Sequence, residues 1–389
     1  MDEKIPKPIE GHQRIAIVDI LRGWALLSVV LVNYVIFFSF QRNMRVPADD
    51  VLSRILKGIV QVLFQGKGWP LLAFLFGYGF SVLIANIKTK GLNPLPFFSR
   101  RMFWLLVFGI FNCALYYGDV LKDYALIGLI ILMFHRISSR QALALSALCF
   151  VSFPALIVWS RGLHYHNPIA SPELTLYTNH NPIDVLWFGL KSGLNISLSI
   201  SKYFDWNLVM LACSFAGVFA HKVDMFAKMQ EYKKYISRIF WLSLIFAIVS
   251  AALRNFGSRW NIDDYYDIEM WFFLGQMVFF AAGICWLYLN GKMMAPFRAL
   301  QLVGRMTLTN YMVQNLIGLF IFSGVGLGLL HKIPYSYHVA FAVLVFVAQI
   351  YFSKWWLSRY KYGPVEWLWR MLSYKQALSI KKVYPHSDD

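Results

Sequence analysis

Ionisable and amide side chains set within long apolar runs are where this chain could do chemistry. A charged group at the centre of a membrane span costs about 2.5–3.5 kcal/mol on insertion scales, so it turns inward to pair or to line a cavity. Asp19 and Arg22 in RIAIVDILRGWALL stand three apart on one helical face, close enough to pair. Their pairing reads either as an interfacial anchor with Arg22 reaching headgroups or as part of a site. Asn33 lies deeper on nearly the same face, where it either continues that polar track or bonds helix to helix. In YYGDVLKDYALIG, Gly118 supplies a turn and Asp119 either caps the following helix or has a functional role. GRMTLTNYMVQN holds the densest polar stretch, with Arg305, Thr309, Asn310, Tyr311 and Gln314 within three turns. The spacings Arg305 to Thr309 and Asn310 to Gln314 make two adjacent stripes facing into the bundle, suited to helix bonding or to a site. These groups, from Asp19 to Gln314, are expected to converge on one buried, hydrated cavity.

Other chemistries find no support in the spacing. The sequence contains no G-x-S-x-G elbow, H-E-x-x-H helix or P-loop. Gly324, Gly326 and Gly328 superficially resemble a nucleotide loop but follow no strand, and Gly324 and Gly328, four apart in an apolar helix, read as close packing. His164, His166 and His180 share a loop without a carboxylate or thiolate set and read as surface residues rather than a zinc site. Cys113, Cys149, Cys213 and Cys285 fall in or beside apolar runs and read as small core residues. No metal and no tightly bound cofactor is expected.

The elements that must position these residues are membrane helices. Hydrophobic residues make up 58% of the 389 positions and charged residues 15%, a balance unlike that of soluble domains. The apolar residues come in runs of about 17 to 25, the length that crosses the hydrocarbon layer. Spans are placed near 15–40, 69–87, 102–118, 120–134, 141–159, 206–221, 237–254, 268–290, 304–330 and 338–357. This is an all-α polytopic bundle forming a single domain over 1–389. A stretch near 185–200, interrupted by Lys191 and two glycines, reads as an interfacial or re-entrant helix. The formal charge of +17 is scattered over short loops, which points to anionic headgroups rather than nucleic acid. Basic clusters at Lys88–Arg101, Arg136–Arg140 and Lys222–Arg238 are expected to be cytoplasmic. That orientation puts a short tail 1–14 and a basic tail 358–389 on the same side, and the 160–205 stretch outside. Within the basic tail, Glu366 and Arg370 are expected to pair as helix neighbours.

Several motifs in order resemble the YeiB family of bacterial inner-membrane proteins over nearly the whole chain. They are VDILRGWALLSVVLVN from Val18, LLAFLFGYGF from Leu71, paired Arg100 and Arg101, YGDVLKDYALIG from Tyr117, GRMTLTNYMVQN from Gly304 and YGPVEWLWRMLSY from Tyr362. The family is distantly similar to membrane acyltransferases that carry an acyl group from a cytoplasmic donor to an acceptor, often a sugar, at the far side. The resemblance implies acyl-CoA as donor and a sugar or lipid as acceptor. Arg22, Arg101 and Arg305 would hold phosphates or a developing oxyanion, with Asn33, Thr309, Asn310 and Gln314 as further binding groups. Relatives often carry His where this chain has Asn112, and Asn is no general base, so that role passes to Asp19 or Asp119. A transporter of a small amphipathic substrate and a non-catalytic structural protein are the alternatives. The absence of matching broken spans in the two halves weighs against the first.

Overall fold

A computed structural model describes residues 15–37, 50–161, 175–198, 206–257, 266 and 268–382. Helices account for nearly all regular structure there, with one isolated bridge between Tyr360 and Lys381 and no strand among the described residues. The helices are α1 (Ala16–Val32), α2 (Val51–Leu63), α3 (Gly68–Thr89), α4 (Pro94–Leu115), α5 (Leu121–Met133), α6 (Ser139–Arg161) and α7 (Pro182–Leu198). There follow α8 (Leu208–Lys222), α9 (Lys233–Gly257), α10 (Glu269–Leu289), α11 (Met294–Gly304), α12 (Thr307–Phe322), α13 (Tyr335–Arg359) and α14 (Pro364–Tyr374). Each of the ten expected spans contains a helix.

Seven helical stretches are long and apolar enough to cross a membrane, namely Ala16–Val35, Val51–Thr89, Pro94–Leu115, Ser139–Ser160, Lys233–Arg254, Glu269–Leu289 and Tyr335–Arg359. Leu208–Lys222 is a shorter apolar helix. The architecture is that of a multi-pass membrane bundle. Helix α1 forms its centre, with Ile17, Ile20, Leu21, Ala25, Leu26 and Val30 at most 2% exposed. Helices α6, α9 and α13 turn Val151, Leu242, Ile248 and Leu344 outward, as lipid-facing surfaces do.

Local sequence explains the ends. Asn93 accepts the Leu95 N–H at 3.0 Å and Pro94 opens α4, because Pro lacks the N–H that a first helical turn leaves unpaired. Asp50 accepts the Ser53 N–H at 2.6 Å to start α2, which lies between the first two expected spans. Fully buried Lys67 closes α2 by donating to the carbonyls of Gln61 at 3.0 Å and Gln65 at 2.8 Å.

Two closely packed glycines set the contact that matters for the site. A Cβ on Gly23 would strike the backbone of Leu300 in α11, and one on Gly304 would strike the carbonyl of Asp19 in α1. These helices therefore touch backbone to backbone. The expected span 304–330 is corrected on two points. Arg305 sits in a break between α11 and α12, and α12 ends at Phe322. The three glycines lie beyond that end, in a turn where Gly328 has φ of +59° and the Gly324 N–H donates to the Tyr177 carbonyl at 3.1 Å. Gly328 supplies the freedom for a reversal of the chain, whereas Gly324 and Gly326 lie against the backbone carbonyls of Thr178 and Phe320 and leave no room for a Cβ.

Candidate functional site

The amino-terminal turns of α1 and α12, the break at Arg305, the middle of α3, the first half of α4, the start of α5 and helix α14 enclose a cavity of about 360 Å³. Asp19, Arg22, Arg101 and Arg305 all line it, together with Glu366 and Arg370. Leu72, Phe76, Phe98, Met102 and Leu105 supply apolar wall. Arg22 donates to Asp19 Oδ1 at 3.2 Å, the pair that their spacing suggested. Arg101 lies 3.6 Å from the centroid of the Trp369 ring, whose Nε1–H donates to the Arg101 carbonyl at 2.9 Å. A guanidinium over an indole face is held by the ring quadrupole, so Arg101 is oriented from α14.

Helix α14 is thus no free tail. Arg100 Nε donates to the Ser373 carbonyl at 2.7 Å, which pins α14 to α4. Glu366 accepts the N–H groups of Leu308 at 2.7 Å and Thr309 at 3.1 Å, and the Thr309 hydroxyl. It caps α12 from another helix, a task that the side chain of Met306, the residue at the cap position, does not perform. The Val365 N–H returns to Thr309 Oγ1 at 3.1 Å. Burial pushes the Glu366 pKa above the ordinary carboxylate range, against the pull of the bonds from Thr309 and Leu308. Arg370 lies over the Tyr362 ring at 4.5 Å, and the expected Glu366–Arg370 reading gives way to these partners.

The expected single cavity is corrected for five residues. Asn33 stands away from it and accepts the Tyr116 hydroxyl at 3.0 Å. Asp119 lies just behind the lining residues Val120 and Leu121 in a buried cluster. There Asn112 Nδ2 donates to Oδ1 at 2.7 Å, and the Lys122 N–H donates to Oδ2 at 3.2 Å, the cap on α5 that the sequence allowed. Lys122 Nζ reaches the Asp119 carbonyl and lies 3.9 Å from Asp123. Asn310 binds helices instead, donating to the Val303 carbonyl at 3.2 Å and to Ser353 Oγ at 3.1 Å, while its carbonyl accepts from Gln349 at 2.7 Å. Thr309 is occupied by Glu366, and Gln314 is fully buried beside Tyr34, whose hydroxyl donates to the Gln314 carbonyl at 2.7 Å. The two stripes of α12 separate because the break at Arg305 turns that residue away from the helix carrying the others.

Trp369, Arg370 and Tyr374 were missed as cavity residues, and Lys122, which also pairs with Asp123, as the partner of Asp119. Their signal was present in YGPVEWLWRMLSY and in DVLKDYALIG, where charges stand among large apolar residues. His180 Nδ1–H donates to the Gly324 carbonyl at 2.7 Å, whereas His164 and His166 lie outside the described residues. No group of three or more metal-ligating side chains occurs among the described residues. The four cysteines are free, three of them buried.

Residues 220–376 match the family described as "Protein of unknown function (DUF418)", a region that includes Arg305, Glu366 and Arg370 but neither Asp19, Arg22 nor Arg101. The chain is 26% identical to the uncharacterized protein YeiB of Escherichia coli (strain K12), covering 94% of this chain and 97% of that one. The chain is thus similar to YeiB along nearly its whole length. It is also 26% identical to the uncharacterized protein YxaH of Bacillus subtilis (strain 168), over 97% of this chain and 98% of that one. An uncharacterized 39.9 kDa protein in the amylase 3'region of Bacillus acidopullulyticus is 27% identical, over 96% and 97%. These relatives match along nearly the whole chain, well beyond residues 220–376.

Proposed function

We propose that this chain is a membrane-embedded acyltransferase of the bacterial inner membrane that takes an acyl group from an anionic amphiphilic donor such as acyl-CoA. The acceptor would be a hydroxyl of a sugar or lipid presented from the outer face. The supporting observation is that Arg22, Arg101 and Arg305, distant in sequence, line one cavity with apolar walls. A guanidinium stays charged and grips phosphate oxygens with two parallel bonds, while the apolar wall suits an acyl chain. The volume of about 360 Å³ falls within the range of small-molecule sites, about 300–1,000 Å³.

In the transfer, the acceptor oxygen attacks the thioester carbonyl, the carbon–sulfur bond breaks, and coenzyme A leaves as the thiolate. A base takes the hydroxyl proton. Asp19 lines the donor cavity. Asp119 stands behind its wall, and Asn112, which is itself no base, orients the Asp119 carboxylate. On this reading Asp119 serves as the base and Asp19 positions Arg22, a choice supported by the Asn112–Asp119 and Arg22–Asp19 bonds.

Purified protein offered radiolabelled acyl-CoA and membrane sugars should bind the donor saturably. Arg305→Ala should weaken binding by about 10- to 100-fold, the loss of one bond to a charged group. Asp119→Asn should spare binding and abolish transfer. Absence of both binding and transfer in the wild type rejects the reading, and saturable movement of an unmodified solute replaces it with transport.

A further inference from the structure

A second recess, of about 110 Å³, opens between the carboxy-terminal turns of α3, α5 and α8, separated from the first cavity by Phe80, which lines both. Ser81 Oγ and His221 Nδ1 lie 2.7 Å apart within it, and Lys88, Lys222 and His135 complete its polar lining. The lining contains no Asp or Glu. Asp224, two residues beyond Lys222, is paired with Lys228 at 3.5 Å.

Part of this arrangement is structural. The Ser81–His221 bond ties α3 to α8, and Lys88 donates to the His135 carbonyl at 2.9 Å near the end of α5. Each helix end carries roughly half a negative charge, so three ends offset about one and a half positive charges. Lys88 and Lys222 line the recess, and Arg136 stands close enough to act electrostatically on Lys88. Three like charges drawn together exceed what the helix ends neutralise. The remaining positive charge faces a recess with a hydroxyl and an imidazole at its base.

We propose that this recess binds a phosphate group, carried by an anionic phospholipid headgroup or as the free anion. A phosphodiester offers acceptor oxygens only, which match the ammonium donors and the one donor that the bonded Ser81–His221 pair leaves over, the hydroxyl or Nε2–H according to the tautomer. Basic pockets between spanning helices are suited to anionic headgroups. This site is independent of the acyl-transfer reading and shares only Phe80 with the donor cavity.

The test uses the full-length protein purified in detergent, with Lys88→Ala/Lys222→Ala and, as a milder change, Ser81→Ala. Both lysines are exposed, so their removal takes away little beyond the Lys88 bond to the His135 carbonyl. Native mass spectrometry after exchange into phosphatidylglycerol and phosphatidylcholine mixtures should show phosphatidylglycerol retained by the wild type. Retention should drop about tenfold in the double variant and less in Ser81→Ala. In parallel, thermal unfolding is followed against inorganic phosphate, with chloride at matched ionic strength. Lipid retention without phosphate protection assigns the site to headgroups, and protection lost in the double variant assigns it to the free anion. Equal phosphatidylglycerol retention in wild type and variants, with no phosphate-specific protection, overturns the proposal.

Discussion

Glu366 shows how one side chain can matter more than its place in the sequence suggests. Its carboxylate satisfies two N–H groups at the start of α12 and the Thr309 hydroxyl, so it joins the two motifs that frame one side of the cavity. Removing it leaves these buried donors unpaired, and Glu366→Ala should cost about 1–3 kcal/mol in thermal or denaturant unfolding. The pH dependence has a definite sign. Because burial raises the folded-state pKa above the unfolded value, the folded state binds more protons between the two values. The contribution of Glu366 to stability is therefore fully present below the unfolded pKa and is lost as pH rises through the folded one. Glu366→Gln should flatten that dependence, and unfolding curves for both proteins across the carboxylate range check it. An unchanged slope in Glu366→Gln would show that the group titrates alike in both states.

At the scale of elements, the cavity depends on how closely α1 approaches α11. Gly23 and Gly304 allow backbone contact there, and Asp19 and Arg22 on one side and Arg305 on the other stand within a turn of it. Gly304→Leu should force the helices apart, costing about 1–3 kcal/mol as overpacking does, and should weaken donor binding beyond what the stability loss explains. Calorimetric melting and binding on the same preparation separate the two effects. Gly91, where a Cβ would meet nothing within 4 Å, sits outside this contact; although its φ of +71° taxes any side chain, Gly91→Ala should leave binding unchanged.

At the scale of the whole molecule, the loop charges predict one orientation. Reporter fusions at residue 389 should be cytoplasmic and those near Asn181 exported, by the distribution of Lys and Arg between short loops. An exported reporter at residue 389 would reverse the bundle and place the donor cavity on the side without acyl-CoA.

Apolar run length alone determined that the chain is a helical membrane bundle, because hydrocarbon tolerates no unpaired backbone and a helix pairs its own. The same physics marked Asp19, Arg22 and Arg305, since charge in an apolar run must be buried with a purpose. Helix α14 escaped that logic. At 11 residues, with charges interspersed, it reads as tail, and its role arises from contacts with Arg100, Arg101 and Thr309, far away in the chain. Asn33, Asp119, Asn310 and Gln314 show the converse limit. Period and spacing gave each an inward face, but whether that face meets a cavity or another helix depends on which neighbour lies opposite. Only tertiary packing decided it, sending Asn310 to Ser353, Asn33 to Tyr116 and Asp119 to Asn112 while leaving the arginines around open space.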